Sequence, residues 1–205
     1  YIYFCLYRGF FMYDFKEQLN IGKLGEECFE KICKKSIEDG KMSSFLNVTS
    51  DEKYWKNDID YICTYKNGKK LSFEIKCDTT TTGNIFAETN VNTYYFDDDN
   101  SVCDTRTKIG WLYGSKADFV FYYFSKLNIV YVITRKALAY WIDYCLQGNK
   151  LRIESKEYVN LKVKSAMNKG TDCYYFGVGY CVPIKDIEFS EFMKNYFYEI
   201  DLKGL

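Results

Sequence analysis

The stretch DIDYICTYKNGKKLSFEIKC, residues 58–77, decides how this chain is read. Two runs rich in β-branched and aromatic residues, Ile59 to Tyr65 and Leu71 to Cys77, flank Lys66-Asn67-Gly68-Lys69, a strong turn signal. That pattern reads as a β-hairpin. A two-residue Asn67-Gly68 turn would pair Lys66 with Lys69 and set Asp60 opposite Ile75, leaving Glu74 on the other face. A three-residue loop with Gly68 left-handed pairs Tyr65 with Lys69 and sets Asp60 opposite Glu74. The second register gives a core face of Tyr61, Cys63, Tyr65, Leu71, Phe73 and Ile75. Its other face is mostly polar, with Asp60, Ile62, Thr64, Lys70, Ser72, Glu74 and Lys76, so this is the register expected.

Opposed residues have Cβ atoms about 4.5–5.5 Å apart, within reach of one shared cation. Two hard carboxylate oxygens, with a backbone carbonyl and waters, suit Mg²⁺ or Mn²⁺. Lys76 projects from the same face as Glu74, where an ammonium can stabilise a phosphorane-like transition state or orient a water for attack on phosphorus. A Glu-x-Lys alone is common, and an amphipathic hairpin with a solvated Glu74–Lys76 salt bridge is the competing reading.

Composition narrows the chemistry. The chain has 205 residues, 47% of them hydrophobic, which fits a single domain, expected over residues 12–205. It contains no histidine, which excludes Ser-His-Asp and Cys-His triads and imidazole bases. Nine cysteines without a Cys-x-x-Cys are expected to be reduced core thiols of a cytosolic protein. The 28 basic and 28 acidic residues cancel, so nucleic-acid binding must come from a local patch. Residues 1–11 are apolar but too short to span a bilayer, and they stay outside the functional argument. No membrane association is expected.

Along the chain, apolar residues at helical spacing (Leu19, Ile21, Leu24, Cys28, Ile32) predict a helix over 14–36. Strands are predicted over 44–49, 117–124, 127–134, 155–164 and 173–182, and helices over 135–147 and 190–200. Residues 83–89 read as an irregular extended segment and 91–108 as a polar loop region carrying an acidic run, Asp97 to Asp99. The fold class expected is α/β (α+β), a mixed central sheet flanked by helices.

A helix bearing Gly22-x-x-Gly25-Glu26, a strand, Ile59-Asp60 and then Phe73-Glu74-Ile75-Lys76 together resemble the PD-(D/E)xK nuclease superfamily, with Ile59 where the family usually has proline. Small phage-encoded members are similar in further places: Lys76-Cys77-Asp78, Thr82-Gly83-Asn84-Ile85-Phe86-Ala87-Glu88, Ser115-Lys116-Ala117-Asp118-Phe119 and Gly179-Tyr180-Cys181-Val182-Pro183-Ile184. The resemblance implies a restriction endonuclease-like αβββαβ core, here with extra C-terminal strands and a helix. It makes Asp60 and Glu74 metal carboxylates, Lys76 the catalytic lysine and Glu26 the helix carboxylate of the metal site. Glu27 competes with Glu26, because the helical wheel does not separate them.

Thr80, Thr82, Asn84 and Lys116 are candidate phosphate contacts, or part of a plain loop and surface. Glu88 would join the metal site or bind a lysine, and Asp118 would staple the strand it begins. The activity implied is Mg²⁺-dependent hydrolysis of DNA by an endonuclease, in the cytoplasm of a bacterium or a phage-infected cell, and a homodimer would favour double-strand cuts. The alternatives are a nuclease acting on RNA or branched junctions, and an inactive nuclease-fold protein that binds nucleic acid or counters host defence.

Overall fold

A computed structural model describes residues 12–97, 101–146, 152–153, 156–157, 162–169 and 173–203. The first elements in chain order are β1 (Met12–Asp14), α1 (Phe15–Glu38), β2 (Met42–Asn47), α2 (Glu52–Trp55), β3 (Tyr61–Tyr65) and β4 (Lys70–Asp78). There follow β5 (Asn84–Phe96), β6 (Val102–Ile109), α3 (Trp111–Gly114), β7 (Phe119–Phe124), β8 (Ile129–Thr134) and α4 (Arg135–Leu146). The chain continues through β9 (Arg152–Ile153), β10 (Lys156–Glu157), β11 (Lys162–Lys169), β12 (Cys173–Pro183), α5 (Ile184–Phe189), a 3-10 turn (Met193–Asn195) and β13 (Phe197–Asp201).

The hairpin takes the three-residue loop. Gly68 sits at φ +79°, its N–H donates to the Tyr65 carbonyl, and Tyr65 N–H donates to the Lys69 carbonyl at 2.9 Å. The ladder then runs Thr64 with Lys70, Cys63 with Leu71, Ile62 with Ser72 and Tyr61 with Phe73. This hairpin lies in a six-stranded sheet ordered β13-β8-β7-β4-β3-β2, with β4 and β7 its two central strands. Only β4 and β7 run parallel in it, so the sheet is mixed. Parallel neighbours need a long crossover, and here the β5–β6 ribbon and α3 supply it. A second sheet, β1-β11-β12-β5-β6, carries that ribbon.

Each face of the six-stranded sheet is covered. Phe29 of α1 packs its ring 4.7 Å from Tyr61, 5.1 Å from Phe73 and 5.0 Å from Phe121. On the other face Val120, Tyr122, Phe124 and Ile133 bury against Leu138, Trp141 and Ile142 of α4 and against Ile85 and Ala87 of β5. Glu74 and Lys76 pair with Val120 and Tyr122, and alternation puts them on this second face. The polar face expected of the hairpin is therefore covered around Ser72 and Glu74, the latter only 4% exposed, while Lys70 at its far end is exposed.

Several sequence expectations need correction. The buried line of α1 is Gly25, Phe29 and Cys33, while Leu19 and Leu24 are exposed. A Cβ at Gly25 would lie 3.0 Å from Cys77 Cβ and 3.1 Å from Ile75 Cγ2, so the missing side chain lets α1 approach β4 along that line. The strands β5 (Asn84–Phe96) and β6 (Val102–Ile109) form a long antiparallel ribbon where an irregular segment over 83–89 and a loop over 91–108 were expected. Its β6 residues are exposed throughout, so no apolar alternation marks them. Within the acidic run, Asp98 and Asp99 lie outside the described residues. The expected terminal helix over 190–200 is instead a 3-10 turn followed by β13, an edge strand pairing Phe197–Asp201 with β8. The eight described cysteines are thiols, with Cys33 and Cys63 in buried contact at 3.9 Å. Among the described residues no helix is long and apolar enough to cross a membrane.

Candidate active site

The ladder between β3 and β4 stops at Tyr61, one step before Asp60 would face Glu74. Asp60 N–H donates to Phe73 O at 2.9 Å, and its Oδ2 accepts from Ile75 N–H at 2.7 Å. The short acidic side chain thus stands in for a backbone acceptor at the strand end. Asp60 meets β4 through its backbone N–H and its carboxylate, not as a ladder partner of Glu74.

Glu74 holds Lys76 Nζ at 2.5 Å through Oε1, a buried carboxylate with a lysine whose side chain is 35% exposed. Its Oε2 is buried and has no hydrogen-bond partner among the described residues. A buried carboxylate oxygen left unpaired is costly, and this one stands beside further acids. Burial, with the charges of Asp60 and Asp58, outweighs Lys76 and pushes the Glu74 carboxyl up to about 7. Asp60 is raised first by burial, against the Ile75 N–H and the Lys76 charge. For Lys76, burial works against the ammonium, but the charge and hydrogen bond of Glu74, with the charges of Asp60 and Glu88, win and hold it protonated above the ordinary lysine range.

α1 brings Glu26 to this group. Burial raises its carboxyl first, and Asp60 is the next cause. Glu27 is exposed on another side of the helix, in an outer groove with Lys31, Tyr123 and Asn128, so it does not join the cluster. Tyr61, opposite Phe73, donates its hydroxyl to Glu30 of α1 and accepts from the Asn47 amide.

Two residues of the cluster escaped the sequence reading. Asp58 influences Asp60, Glu74 and Glu88 alike, and it holds Lys108 of β6 at 2.6 Å. Its φ of +48° is a left-handed conformation that a non-glycine residue rarely takes. Ser115 Oγ, bonded to the Asp58 carbonyl at 2.9 Å, and Lys116 N–H, bonded to the Asn57 carbonyl at 2.8 Å, clamp that turn. The one sequence signal for Asp58 was its position two residues before Asp60. Nothing local marked Lys108, fifty residues away in sequence.

The remaining candidates divide. Asp118 staples β7 to β4, its Oδ2 accepting from Ser72 N–H at 2.9 Å and from Ser72 Oγ at 2.8 Å. Thr80 N–H bonds Asp78 Oδ1, and its hydroxyl lies 3.3 Å from that of Thr82, inside the turn after β4. Asn84 opens β5 opposite Pro183, and Lys116 is exposed. Among the described residues, no three His, Cys, Asp or Glu side chains converge as a ready-made metal cage. The oxygens on offer are hard carboxylates, the type that Mg²⁺ and Mn²⁺ take. No family of proteins, curated protein or solved structure matches this chain in comparisons of sequence and fold.

Proposed function

We propose that this protein is a metal-dependent nuclease that hydrolyses phosphodiester bonds in DNA. The observation that carries the reading is Glu74: a nearly inaccessible carboxylate whose Oε1 binds the Lys76 ammonium while Oε2 has no hydrogen-bond partner among the described residues. An unpaired buried anionic oxygen beside Asp60 is what a divalent cation would satisfy. Asp60 and Glu74 would hold that ion, Mg²⁺ or Mn²⁺, with Glu26 supporting it from α1. When bound, the ion would supply Lewis acidity toward a phosphoryl oxygen and lower the pKa of a water.

The chain's own groups divide the remaining work. The Ile75 N–H fixes the Asp60 carboxylate, and the rigid β4 strand holds Glu74 and Lys76 two residues apart on one face. Lys76, protonated and partly exposed, would place positive charge where a phosphorane-like transition state gathers negative charge. The strand order β2-β3-β4-β7, with the last pair parallel and α1 packed on one face, supports an αβββαβ nuclease core.

The test is incubation of purified protein with linear, circular, single-stranded and branched DNA, and with RNA, in Mg²⁺ or Mn²⁺ against EDTA. Metal-dependent cutting of any DNA, leaving 5′-phosphate and 3′-hydroxyl ends, is the expected result. Cutting of RNA alone would move the substrate class, and no cutting of any substrate would overturn the reading.

A further inference from the structure

β6 is one edge of the five-stranded sheet β1-β11-β12-β5-β6, whose other edge, β1, has only three residues. β5 pairs with β6 along one side, and among the described residues nothing pairs with its other side. All eight residues of β6 are exposed, the apolar Val102 at 47% and Ile109 at 59% among them. A long exposed edge offers a row of unpaired N–H and C=O groups to another strand. Proline, which would block such pairing, is absent from β6.

The charges of β6 sort the strands that could dock there. Alternation places Asp104, Arg106 and Lys108 on one face and Cys103, Thr105 and Thr107 on the other. Arg106 lies over the Tyr95 ring at 5.0 Å, and its Nε donates to Asp104 Oδ2 at 3.1 Å. Asp104 Oδ1 accepts the Thr105 N–H at 2.8 Å, so a single chain satisfies part of its own edge. A second β6 laid antiparallel about a two-fold axis brings the residue on the axis opposite itself. An axis at Asp104 or Arg106 opposes like charges, and one at Thr107 sets Arg106 against Lys108. An axis at Thr105 sets Asp104 opposite Arg106 twice, and Val102 beside the aliphatic stem of Lys108. Within β6 this register alone gives two ion pairs and no like-charge contact.

We propose that β6 is a self-association edge, pairing antiparallel with β6 of a second copy of this chain about a two-fold axis at Thr105. The two five-stranded sheets join into one, and each Asp104 has Arg106 of the second copy within reach as well as its own. A two-fold axis normal to the sheet keeps like faces together. Lys108, which holds Asp58 of the acid cluster at 2.6 Å, therefore lies on the same side of the joint sheet in both copies. Cuts in both strands of a duplex are the catalytic consequence, which rests on the nuclease reading, whereas the pairing itself does not.

Sedimentation equilibrium of the full chain, in EDTA without nucleic acid and across micromolar concentrations, reads the association. The wild type should show a reversible monomer–dimer equilibrium. Arg106→Asp and Asp104→Arg each set like charges opposite each other twice, and each should weaken dimerisation at least about 10-fold. Mixing the two variants should restore it as a heterodimer, because each supplies the charge that the other lacks. A folding defect in either variant would not be rescued by mixing. A wild type that stays monomeric, a dimer whose strength neither variant changes, or a mixture that does not associate would each overturn the proposal. A monomeric wild type that binds single-stranded DNA, and loses that binding in Arg106→Asp, would assign the edge to nucleic acid instead. Dimerisation in a protein that cleaves nothing would retire the nuclease reading and leave the β6 pairing standing.

Discussion

Removing the charge of Glu74 should make the metal-free protein more stable at neutral pH, against the usual outcome of altering a buried residue. Burial raises this carboxyl from about 4.5 to about 7. Below pH 4.5 it is protonated in both folded and unfolded chains and contributes nothing to the pH dependence. Between pH 4.5 and 7 the folded protein keeps a proton that the unfolded chain has released, so stability falls as pH rises. Above pH 7 the loss is complete, at about 3 kcal/mol from the size of the shift. For a chain of this length that corresponds to roughly 6–12 °C in Tm.

The perturbation is Glu74→Gln, which keeps the side-chain shape and an acceptor for Lys76. The assay is urea unfolding in EDTA, followed by the fluorescence of the buried Trp111 and Trp141, at pH 5 and pH 8. Asp60, Glu26 and Glu88 are raised in the same direction, so both proteins should lose stability with pH. The wild type should lose about 2–3 kcal/mol more than Glu74→Gln. Saturating Mg²⁺ should recover part of that excess in the wild type and little in the variant. Equal pH dependence in the two proteins would refute the buried, unsatisfied carboxylate on which the metal reading depends.

Three further outcomes test the frame around the site. Gly22→Ala in open space on α1 should raise stability by about 0.5–1 kcal/mol, whereas Gly25→Ala, crowded by Cys77 and Ile75, should lower it by about 1 kcal/mol, both read by urea unfolding. Asp118→Ala should cost about 2 kcal/mol, because it strips both bonds from the Ser72 N–H and hydroxyl, yet leave any cleavage rate within a few fold. In the native protein a thiol reagent should label exposed Cys103 rapidly and leave buried Cys33 and Cys63 untouched until unfolding.

What could be read in advance was local. The hairpin follows from turn chemistry at Gly68 and from strict alternation, and its register alone puts Glu74 and Lys76 on one face. Where tertiary contact overrides local pattern, the reading failed. Counting apolar residues pointed to Leu24, but a helix that must touch a strand closely buries its glycine, so Gly25 faces the sheet and Leu24 is left exposed. The β5–β6 ribbon is polar on β6, and strand propensity alone did not separate it from a loop. At the C-terminus, Phe197 to Asp201 found a free sheet edge at β8, which outweighed a helical pattern in the same residues. Asp58, and Glu88 with Gly110, Gly177 and Gly179 packed around it, draw their meaning from partners far along the chain, so no window of sequence contains them.

The most direct measurement is single-turnover cleavage of the preferred DNA with Mg²⁺ by the wild type beside Glu74→Ala, Lys76→Ala and Asp60→Asn, each first shown to be folded. The expected result is cutting by the wild type and a loss of at least about 100-fold in every variant. Undiminished cutting by any of the three folded variants would contradict the assignment of catalysis to this site.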